Sequence, residues 1–333
     1  MKRILTIQLK RLGDLVLNTA ALGSLRQVYP GSRITLIIDQ YSAELAPAIE
    51  GVDEFWVYRR NRSLPLWVRL SGTRFDGCVD FTGNDRAALM VLLSKASRRA
   101  GLRRPEQRRL RNWIYNAPAY SSVRDLHTVD LYLNLVRRLE PKAIPAEPAL
   151  RLPANVLAGA RSLLQDLGIR NAYFVVQAGT ARAEKLWPAE SWATVIAEAH
   201  RRSGLPCLLT GGRESAELKH AETIRSAIAS RAPCIVLAGK TDLLLTCALI
   251  RQATFFLGVD SVGAHLAAVF KRPELVLFGP TNPFHWRPRH PGGRVVRAGF
   301  GPDYEPLSPT EPGQPMTALS TDTVIRAMGD LCG

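Results

Sequence analysis

The sequence predicts an α/β protein that contains two doubly wound parallel sheets. In both halves of the chain, short apolar runs of strand length alternate with segments of helical periodicity. This alternation is typical of parallel sheets with helices on both faces. The length of 333 residues accommodates two domains. The hydrophobic content of 46% and the charged content of 22% are those of a globular protein and exclude a long disordered chain.

Strand candidates in the first half are apolar runs that lead into turns or helical segments: Arg3 to Gln8, Ile34 to Ile38, Phe55 to Tyr58 and Gly77 to Phe81. Helical periodicity predicts helices from about Asp14 to Tyr29, near 85–96 and near 127–139. Pro30 and Gly31 end the first of these helices.

The second half repeats this order of elements. Its strand candidates are Tyr173 to Val176, Leu205 to Leu209, Ile235 to Leu237, Phe255 to Leu257 and Leu275 to Phe278. Apolar residues between Val156 and Leu167 recur at the spacing of one helical face, and those between Trp192 and Ala199 form another. Residues 287–318 are rich in glycine and proline, so we expect irregular structure there before a last helix near 321–331.

A proline-rich segment separates the two halves. Pro141, Pro145, Pro148 and Pro153 fall within thirteen residues, a density typical of linkers. We therefore place the linker at about 141–153, between an N-terminal domain of residues 1–153 and a C-terminal domain of residues 154–318. Residues 319–333 are expected to form a C-terminal helix that packs back on the N-terminal domain.

The net charge of +15 is concentrated in the first half of the chain. Residues 1–153 carry 25 Lys and Arg against 14 Asp and Glu, whereas residues 154–333 carry 19 against 15. The first half therefore favours an acidic partner. No apolar run approaches the roughly 20 residues of a membrane-spanning helix. Lys10, Arg11 and Asp14 interrupt the apolar core that a secretion signal needs. The five cysteines are scattered, which indicates reduced thiols in a cytosolic protein.

The segment from Gly258 to His265 carries the strongest functional signal. An apolar run that ends at Leu257 leads into Gly-Val-Asp-Ser-Val-Gly-Ala-His, and a helical pattern follows. A strand that turns into a helix in this way presents unpaired backbone N–H groups to an anion. We therefore predict a phosphate or diphosphate site at Ser261 and Gly263. His265 is either a further donor or a structural histidine.

A second motif, Gln8-Leu-Lys-Arg-Leu-Gly-Asp14, follows the first predicted strand. It lies at the carboxyl end of that strand, where open α/β sheets bind ligands. The Gly-x-Gly-x-x-Gly fingerprint of dinucleotide binding is absent. Asp14 stands at the start of a predicted helix, where it either caps the helix or serves the site.

Two loops in the second half add candidate ligands. Gly179-Thr180 begins a turn that leads to Lys185, which is either solvated or neutralises a diphosphate. Thr210-Gly-Gly-Arg-Glu214 ends in a carboxylate that is either solvated or bonded to ribose hydroxyls. Because no His-x-x-x-His or Cys-x-x-Cys pair occurs, we expect no metal site. The lack of a Gly-x-Ser-x-Gly elbow argues against an α/β-hydrolase.

In this order, the motifs resemble those of glycosyltransferase family 9, the heptosyltransferases of bacterial lipopolysaccharide core synthesis. The matching motifs span about residues 3–330: Gly-Asp with Asn-Thr-x-Ala-Leu, Gly-x-x-x-x-x-Lys-x-Trp-Pro, Leu-Thr-Gly-Gly, Asp-Ser-x-x-x-His-Leu-Ala-Ala and Leu-Phe-Gly-Pro-Thr-x-Pro-x-x-Trp. Val-Asp-Ser with Phe-His-Trp-Arg-Pro looks most like the heptosyltransferase III subgroup, which adds a side-branch heptose.

The resemblance implies a GT-B fold, in which two Rossmann-like doubly wound domains face each other across a cleft. It implies inverting transfer of heptose from ADP-heptose to the lipopolysaccharide inner core, without a metal or another cofactor. Asp14 then matches the general base. Lys185 matches the phosphate-binding lysine, with Thr180 beside it, and Glu214 matches the ribose-binding acid. The diphosphate loop matches Asp260, Ser261, Val262, Gly263 and His265.

The chain departs from the family pattern at two places. The usual loop is Asp-Thr-Gly-x-x-His, whereas Val262 stands here where glycine is common and the glycine follows as Gly263. Because of this shift, the backbone N–H groups of the loop are expected to point in a different direction. The cysteine-rich segment that many relatives carry near residues 303–317 is also missing.

A run of eight Lys and Arg residues within 95–111 has two interpretations. It is either a solvated surface or a face for the phosphorylated lipid acceptor at the anionic inner-membrane surface. The acceptor-binding candidates are Lys10, Arg11, Arg98, Arg99, Arg103 and Arg104. We thus expect a cytoplasmic enzyme that associates peripherally with the inner membrane. The alternatives are a family member with another nucleotide sugar or acceptor and, more remotely, a basic nucleic-acid-binding protein, for which no recognition motif is present.

Overall fold

The computed structural model describes residues 1–103, 113–120, 125–301 and 307–332. The chain divides into two compact units, Met1–Arg151 and Leu152–Gly333. This division lies inside the proline-rich segment at 141–153. The segment is fastened to the first unit, because Ala149 N donates to Thr19 Oγ1 at 3.0 Å and Ser24 Oγ donates to Ile144 O at 2.6 Å.

The first unit is a sheet of six parallel strands with helices between them. Its strands are β1 (Arg3–Gln8), β2 (Arg33–Asp39), β3 (Glu54–Tyr58), β4 (Gly77–Asp80), β5 (Arg98–Leu102) and β6 (Ala117–Ala119). Its helices are α1 (Leu12–Val28), α2 (Leu64–Ser71), α3 (Asp85–Leu93) and α4 (Thr128–Leu139), and a 3₁₀ segment covers Gln40–Ala48. The strand order is β3-β2-β1-β4-β5-β6.

The second unit repeats this architecture. Its strands are β7 (Phe174–Gln177), β8 (Cys207–Thr210), β9 (Cys234–Val236), β10 (Phe256–Val259), β11 (Glu274–Phe278) and β12 (Gly293–Arg297). Its helices are α5 (Ala154–Asp166), α6 (Ala189–Ser203), α7 (Ser215–Ile228), α8 (Leu243–Gln252), α9 (Val262–Val269), α10 (Pro283–Trp286) and α11 (Thr321–Met328). The strand order, β12-β11-β10-β7-β8-β9, reproduces that of the first unit from the opposite end.

Both sheets are buried on both faces. Ile4, Leu5 and Ile7 of β1 are fully buried, as are Val175 and Val176 of β7. Strands covered on both faces need apolar side chains at successive positions, which explains the continuous apolar runs in the sequence. The predicted α/β class with two doubly wound units is therefore confirmed.

Some elements differ from the sequence prediction. β5 lies within the basic run, and β12 lies in the segment that was expected to be irregular, because parallel pairing with β4 and β11 stabilises strands with weak local patterns. The C-terminal helix, which was expected to pack back on the N-terminal domain, directs its apolar face into the second unit. Val324 and Met328 of α11 are buried in the core of the second unit, with Trp192 and Val195 of α6.

Two absences hold for the described part of the chain. No helix there combines the length and the apolar composition needed to cross a membrane. The same residues contain no group of three or more His, Cys, Asp and Glu side chains that would hold a metal ion.

We predict opposite stability effects for two glycine substitutions. A Cβ atom at Gly101 of β5 would lie 2.2 Å from a ring carbon of Tyr115, so Gly101→Ala should lower the free energy of unfolding by about 1–3 kcal/mol. Gly159, inside α5, has no atom within 4 Å of such a Cβ, so Gly159→Ala should raise it by up to about 1 kcal/mol. Urea unfolding followed by circular dichroism measures both, and equal shifts would contradict the packing argument.

Candidate functional site

The strand order places a ligand site at the same point of each sheet. In each unit the first strand pairs with the fourth: β1 with β4 and β7 with β10. The chain leaves these two neighbouring strands toward opposite ends of the sheet, which opens a crevice at their carboxyl ends. The sequence motifs follow three of these four strands. The two crevices are therefore the candidate sites.

Asp14 lies at the carboxyl end of β1, in the first turn of α1. It does not cap this helix, because α1 begins at Leu12 and the cap position is Arg11, whose side chain makes no capping bond. Instead, the Asp14 carboxylate accepts a hydrogen bond from Tyr132 Oη at 2.7 Å. The interpretation of Asp14 as a helix cap is therefore wrong, and its carboxylate is available to the crevice.

Tyr132 is a residue that sequence reasoning missed. It belongs to α4 and is fully buried, and the ring of Phe81 contacts it edge-on. Burial raises the pKa of Tyr132 well above its ordinary value, and the neighbouring Asp14 charge adds to this effect. The phenol therefore remains a hydrogen-bond donor to Asp14. Lys10 Nζ lies 3.5 Å from Tyr132 Oη and 5.3 Å from its ring centroid.

A second carboxylate, Asp80, is fully buried at the end of the neighbouring strand β4. It accepts hydrogen bonds from Tyr115 Oη at 2.6 Å, from Thr82 N at 2.8 Å and from Gly83 N at 3.0 Å. Complete burial raises the pKa of Asp80, although these three donors oppose the rise. Asp80 therefore orders the loop that borders the crevice. An acidic residue at the end of an apolar run was the only sequence signal for it.

The acceptor-binding candidates do not converge on this crevice. Arg98 and Arg99 begin β5 and thus lie at the amino edge of the sheet, opposite Asp14. The Arg99 guanidinium is held by Ile114 O at 2.6 Å and Ala96 O at 2.8 Å, which indicates a structural role. Arg103 follows the carboxyl end of β5 and donates to Tyr120 Oη at 2.9 Å. Parallel pairing of β5 thus separates cations that are adjacent in sequence.

The remaining acceptor candidates have mixed positions. Lys10 lies at the crevice, beside Tyr132. Arg11 is exposed before α1. Arg104 lies outside the described residues, as do Arg108, Arg109 and Arg111, the last three cations of the basic run.

In the second unit, Lys185 forms a buried ion pair. Its Nζ lies 2.5 Å from Asp260 Oδ2 and 3.1 Å from Asp260 O, and both residues are more than nine-tenths buried. Thr281 Oγ1 donates to the same carboxylate oxygen at 2.7 Å. Asp260 therefore holds Lys185 between the ends of β7 and β10. Thr281 was missed, because only the fold brings the loop after β11 to this point.

The N-terminus of α9 borders this ion pair. Its first N–H groups, from Val262 onward, have no acceptor within the helix. Ser261 occupies the cap position without capping, and its buried Oγ has no partner among the described residues. A Cβ at Gly263 would lie 2.3 Å from Gln177 Oε1, so this glycine lets the helix approach the end of β7. His265 is buried in the second turn of α9.

The loops after β7 and β8 meet at a carboxylate that sequence reasoning missed, Glu217. Glu214 has an exposed side chain at the cap position of α7. Glu217, one turn later, is buried against Gly179 and Gly212, and Gly212 N donates to Glu217 Oε2 at 2.9 Å. Thr180 is half-buried, and its hydroxyl oxygen accepts from Arg182 N. Glu217 thus orders the two loops, whereas Glu214 remains open to solvent.

The sequence matches a known family over most of its length. The profile of glycosyltransferase family 9 (heptosyltransferase) matches residues 63–307. Lipopolysaccharide heptosyltransferase 3 of Escherichia coli K12 is 25% identical over 285 residues, which cover 83% of this chain and 82% of that protein. The lipopolysaccharide core heptosyltransferase OpsX of Haemophilus influenzae is 24% identical over 330 residues, which cover 98% of this chain and 91% of that protein.

Solved structures share the fold over the whole chain. A family 9 glycosyltransferase from Veillonella parvula superposes with a TM-score of 0.82 at 22% identity, covering 99% of this chain and 97% of that one. Escherichia coli heptosyltransferase WaaC with ADP gives 0.73 at 20% identity, covering 98% and 96%. The fold is thus GT-B. Together with the family match, these likenesses show that the chain is a glycosyltransferase that belongs to family 9, the heptosyltransferases.

Proposed function

We propose that this enzyme transfers heptose from ADP-heptose to a sugar hydroxyl of the lipopolysaccharide inner core, with inversion and without a metal. The observation that carries the proposal is the arrangement of side chains at the crevice of the second unit, at the carboxyl ends of β7 and β10. There, a buried lysine, a free serine hydroxyl and a helix N-terminus come together. The names of the relatives supply the sugar and the acceptor. The alternative is a different nucleotide sugar or glycan acceptor.

The second unit provides the chemistry for a leaving diphosphate. As the bond to the anomeric carbon breaks, negative charge develops on the diphosphate oxygens. Lys185, Ser261 Oγ and the N–H groups of Val262 and Gly263 supply a cation and fixed dipoles for that charge. Donors held in place before the reaction need no reorganisation during it. This supports departure of ADP without a metal ion.

The first unit provides the chemistry for the attacking hydroxyl. Asp14 takes the proton of the acceptor hydroxyl as a general base, and the oxygen attacks the anomeric carbon from the side opposite the diphosphate. Tyr132 binds Asp14 Oδ1, which leaves Oδ2 for the acceptor. This hydrogen bond also fixes the carboxylate rotamer, so the base is oriented before the substrate arrives.

We expect the wild-type protein to bind ADP more tightly than UDP or GDP and to release ADP from ADP-heptose only when a heptose-deficient core acceptor is present. Isothermal titration with the three nucleotides and a coupled ADP-release assay measure these properties. Tighter binding of UDP or GDP would contradict ADP-heptose as the donor and indicate a different nucleotide sugar. Tight binding of nucleic acid with no nucleotide selectivity would support the more remote alternative.

We expect Asp14→Asn to reduce kcat by at least about a hundredfold, because a positioned base contributes roughly 10²–10⁴-fold. Tyr132→Phe should reduce kcat by roughly tenfold to a hundredfold, since it removes one hydrogen bond to a charged group. Both variants should bind ADP like the wild type in titrations. Normal turnover of Asp14→Asn would remove Asp14 as the base, whereas normal turnover of Tyr132→Phe alone would remove only its positioning role.

We expect Lys185→Ala to weaken ADP binding roughly tenfold to a hundredfold, as lost charge-assisted hydrogen bonds would. The same change leaves Asp260 buried without its cation and thereby destabilises the fold. In the double variant Lys185→Ala/Asp260→Asn, the buried negative charge of Asp260 is removed as well. This variant therefore tests ADP binding without an unpaired carboxylate. Lys219→Ala, an exposed lysine of α7, is the matched control. Full ADP affinity in a folded Lys185 variant would contradict the assignment.

A further inference from the structure

One face of the first unit is apolar, although it is exposed. Leu64 and Val68 of α2 are 73% and 64% exposed, and Leu89 and Leu92 of α3 are 46% and 44% exposed. Their spacings, i to i+4 and i to i+3, place each pair on one side of its helix. Exposed apolar side chains that occur singly need no explanation, but two adjacent stripes do.

The two stripes point in the same direction. Leu66 and Leu70 of α2 and Met90 of α3 are buried in one cluster with Leu5 and Ile7 of β1. Both helices therefore cover the same face of the sheet, and their outer sides point away from it together. Lys95 Nζ donates to Ser71 O at 2.6 Å, which joins the ends of the two helices. We call this surface, defined by Leu64, Val68, Leu89 and Leu92, the α2–α3 face.

Arginines border the α2–α3 face. Arg59, Arg60 and Arg62, in the loop before α2, are exposed, and the described residues provide none of them with an acidic partner. Arg74 follows α2 and is also exposed. α2 contains no acidic residue and α3 contains one, Asp85. The side chains of Arg59, Arg60 and Arg62 thus remain available to an external anion.

We propose that the α2–α3 face docks on an anionic lipid surface. Apolar side chains at the centre enter the region between headgroups and acyl chains, and the flanking arginines bind lipid phosphates. Anionic headgroups match unpaired arginines around an apolar centre, whereas a second copy would bring the same cations to the interface. As a route to a lipid-linked acceptor, this inference rests on the proposed function. The loop 59–62 follows the carboxyl end of β3, the same edge that carries Asp14.

The test is co-sedimentation of the full-length protein with vesicles of phosphatidylcholine, with and without phosphatidylglycerol. We expect binding only to the phosphatidylglycerol vesicles, with affinity that falls steeply as salt rises. Arg59→Ala/Arg60→Ala/Arg62→Ala should weaken binding by about a hundredfold, since each arginine near an anionic surface contributes about fivefold. Leu64→Ser/Val68→Ser should weaken it by roughly tenfold or more.

The matched control removes the same charge from the second unit. Arg161→Ala/Arg170→Ala/Arg251→Ala replaces three exposed arginines there and should retain most of the vesicle affinity. Equal losses in both triple variants would overturn the proposal, because they would reflect net charge alone. Absence of vesicle binding by the wild type would also overturn it. Light scattering that shows a dimer dissociated by Leu64→Ser/Val68→Ser, with unchanged vesicle binding, would assign the face to a second copy instead.

Vesicle binding and heptosyl transfer can fail separately. Binding is measured without any sugar nucleotide, so an error in the proposed donor leaves the result unchanged. Conversely, heptosyl transfer to a delipidated acceptor without any binding to vesicles would contradict only the docking inference.

Discussion

Parallel pairing of the first strand with the fourth brings the functional side chains of each unit together. The first strand of each unit lies in the middle of its sheet. The second and third strands lie on one side of it and the fourth to sixth on the other, so the first and fourth strands are neighbours in both units. Their carboxyl ends border a crevice that no crossover covers. Asp14 and Asp80 lie beside the carboxyl ends of one such strand pair, and Lys185 and Asp260 lie beside those of the other. Chemistry-bearing residues thus lie together although they are far apart in sequence.

Both crevices contain polar groups that are held by a buried partner. Tyr132 orients Asp14 in the first unit, and Asp260 with Thr281 orients Lys185 in the second. A buried charge is costly without a partner, so Asp260 offsets the burial of the Lys185 cation, while Tyr132 holds the half-buried Asp14 carboxylate in place. Ser261 Oγ, which has no partner in the described part of the chain, and the first N–H groups of α9, which have none within the helix, are the groups that suit an anion. In each crevice, one set of residues thus orients the reactive side chain. In the second unit, the neighbouring Ser261 hydroxyl and the α9 N–H groups can bind a ligand.

The basic charge of the first half is more dispersed than the sequence suggests. Arg99 stabilises local backbone, Arg98 lies at the edge opposite Asp14, and Arg103 contacts Tyr120. Arg59, Arg60, Arg62 and Arg74 lie instead beside two helices with exposed apolar stripes. Charge combined with exposed apolar surface has a different physical meaning from charge alone. It favours a lipid interface over a purely polar ligand.

The α/β class, most strands and helices, and the loops that carry Asp14, Lys185 and Ser261 could be predicted from the sequence. These depend on local periodicity, on glycines after apolar runs and on motif order, all of which are visible along the chain. The tertiary structure was needed to show that Tyr132 binds Asp14, that Thr281 and Asp260 hold Lys185, and that Glu217 orders the glycine loops. It also placed β5 and β12 in the sheets and α11 in the core of the second unit. The physical reason is that periodicity shows which side of an element is buried, whereas the residues that face it come from strands and helices distant in sequence.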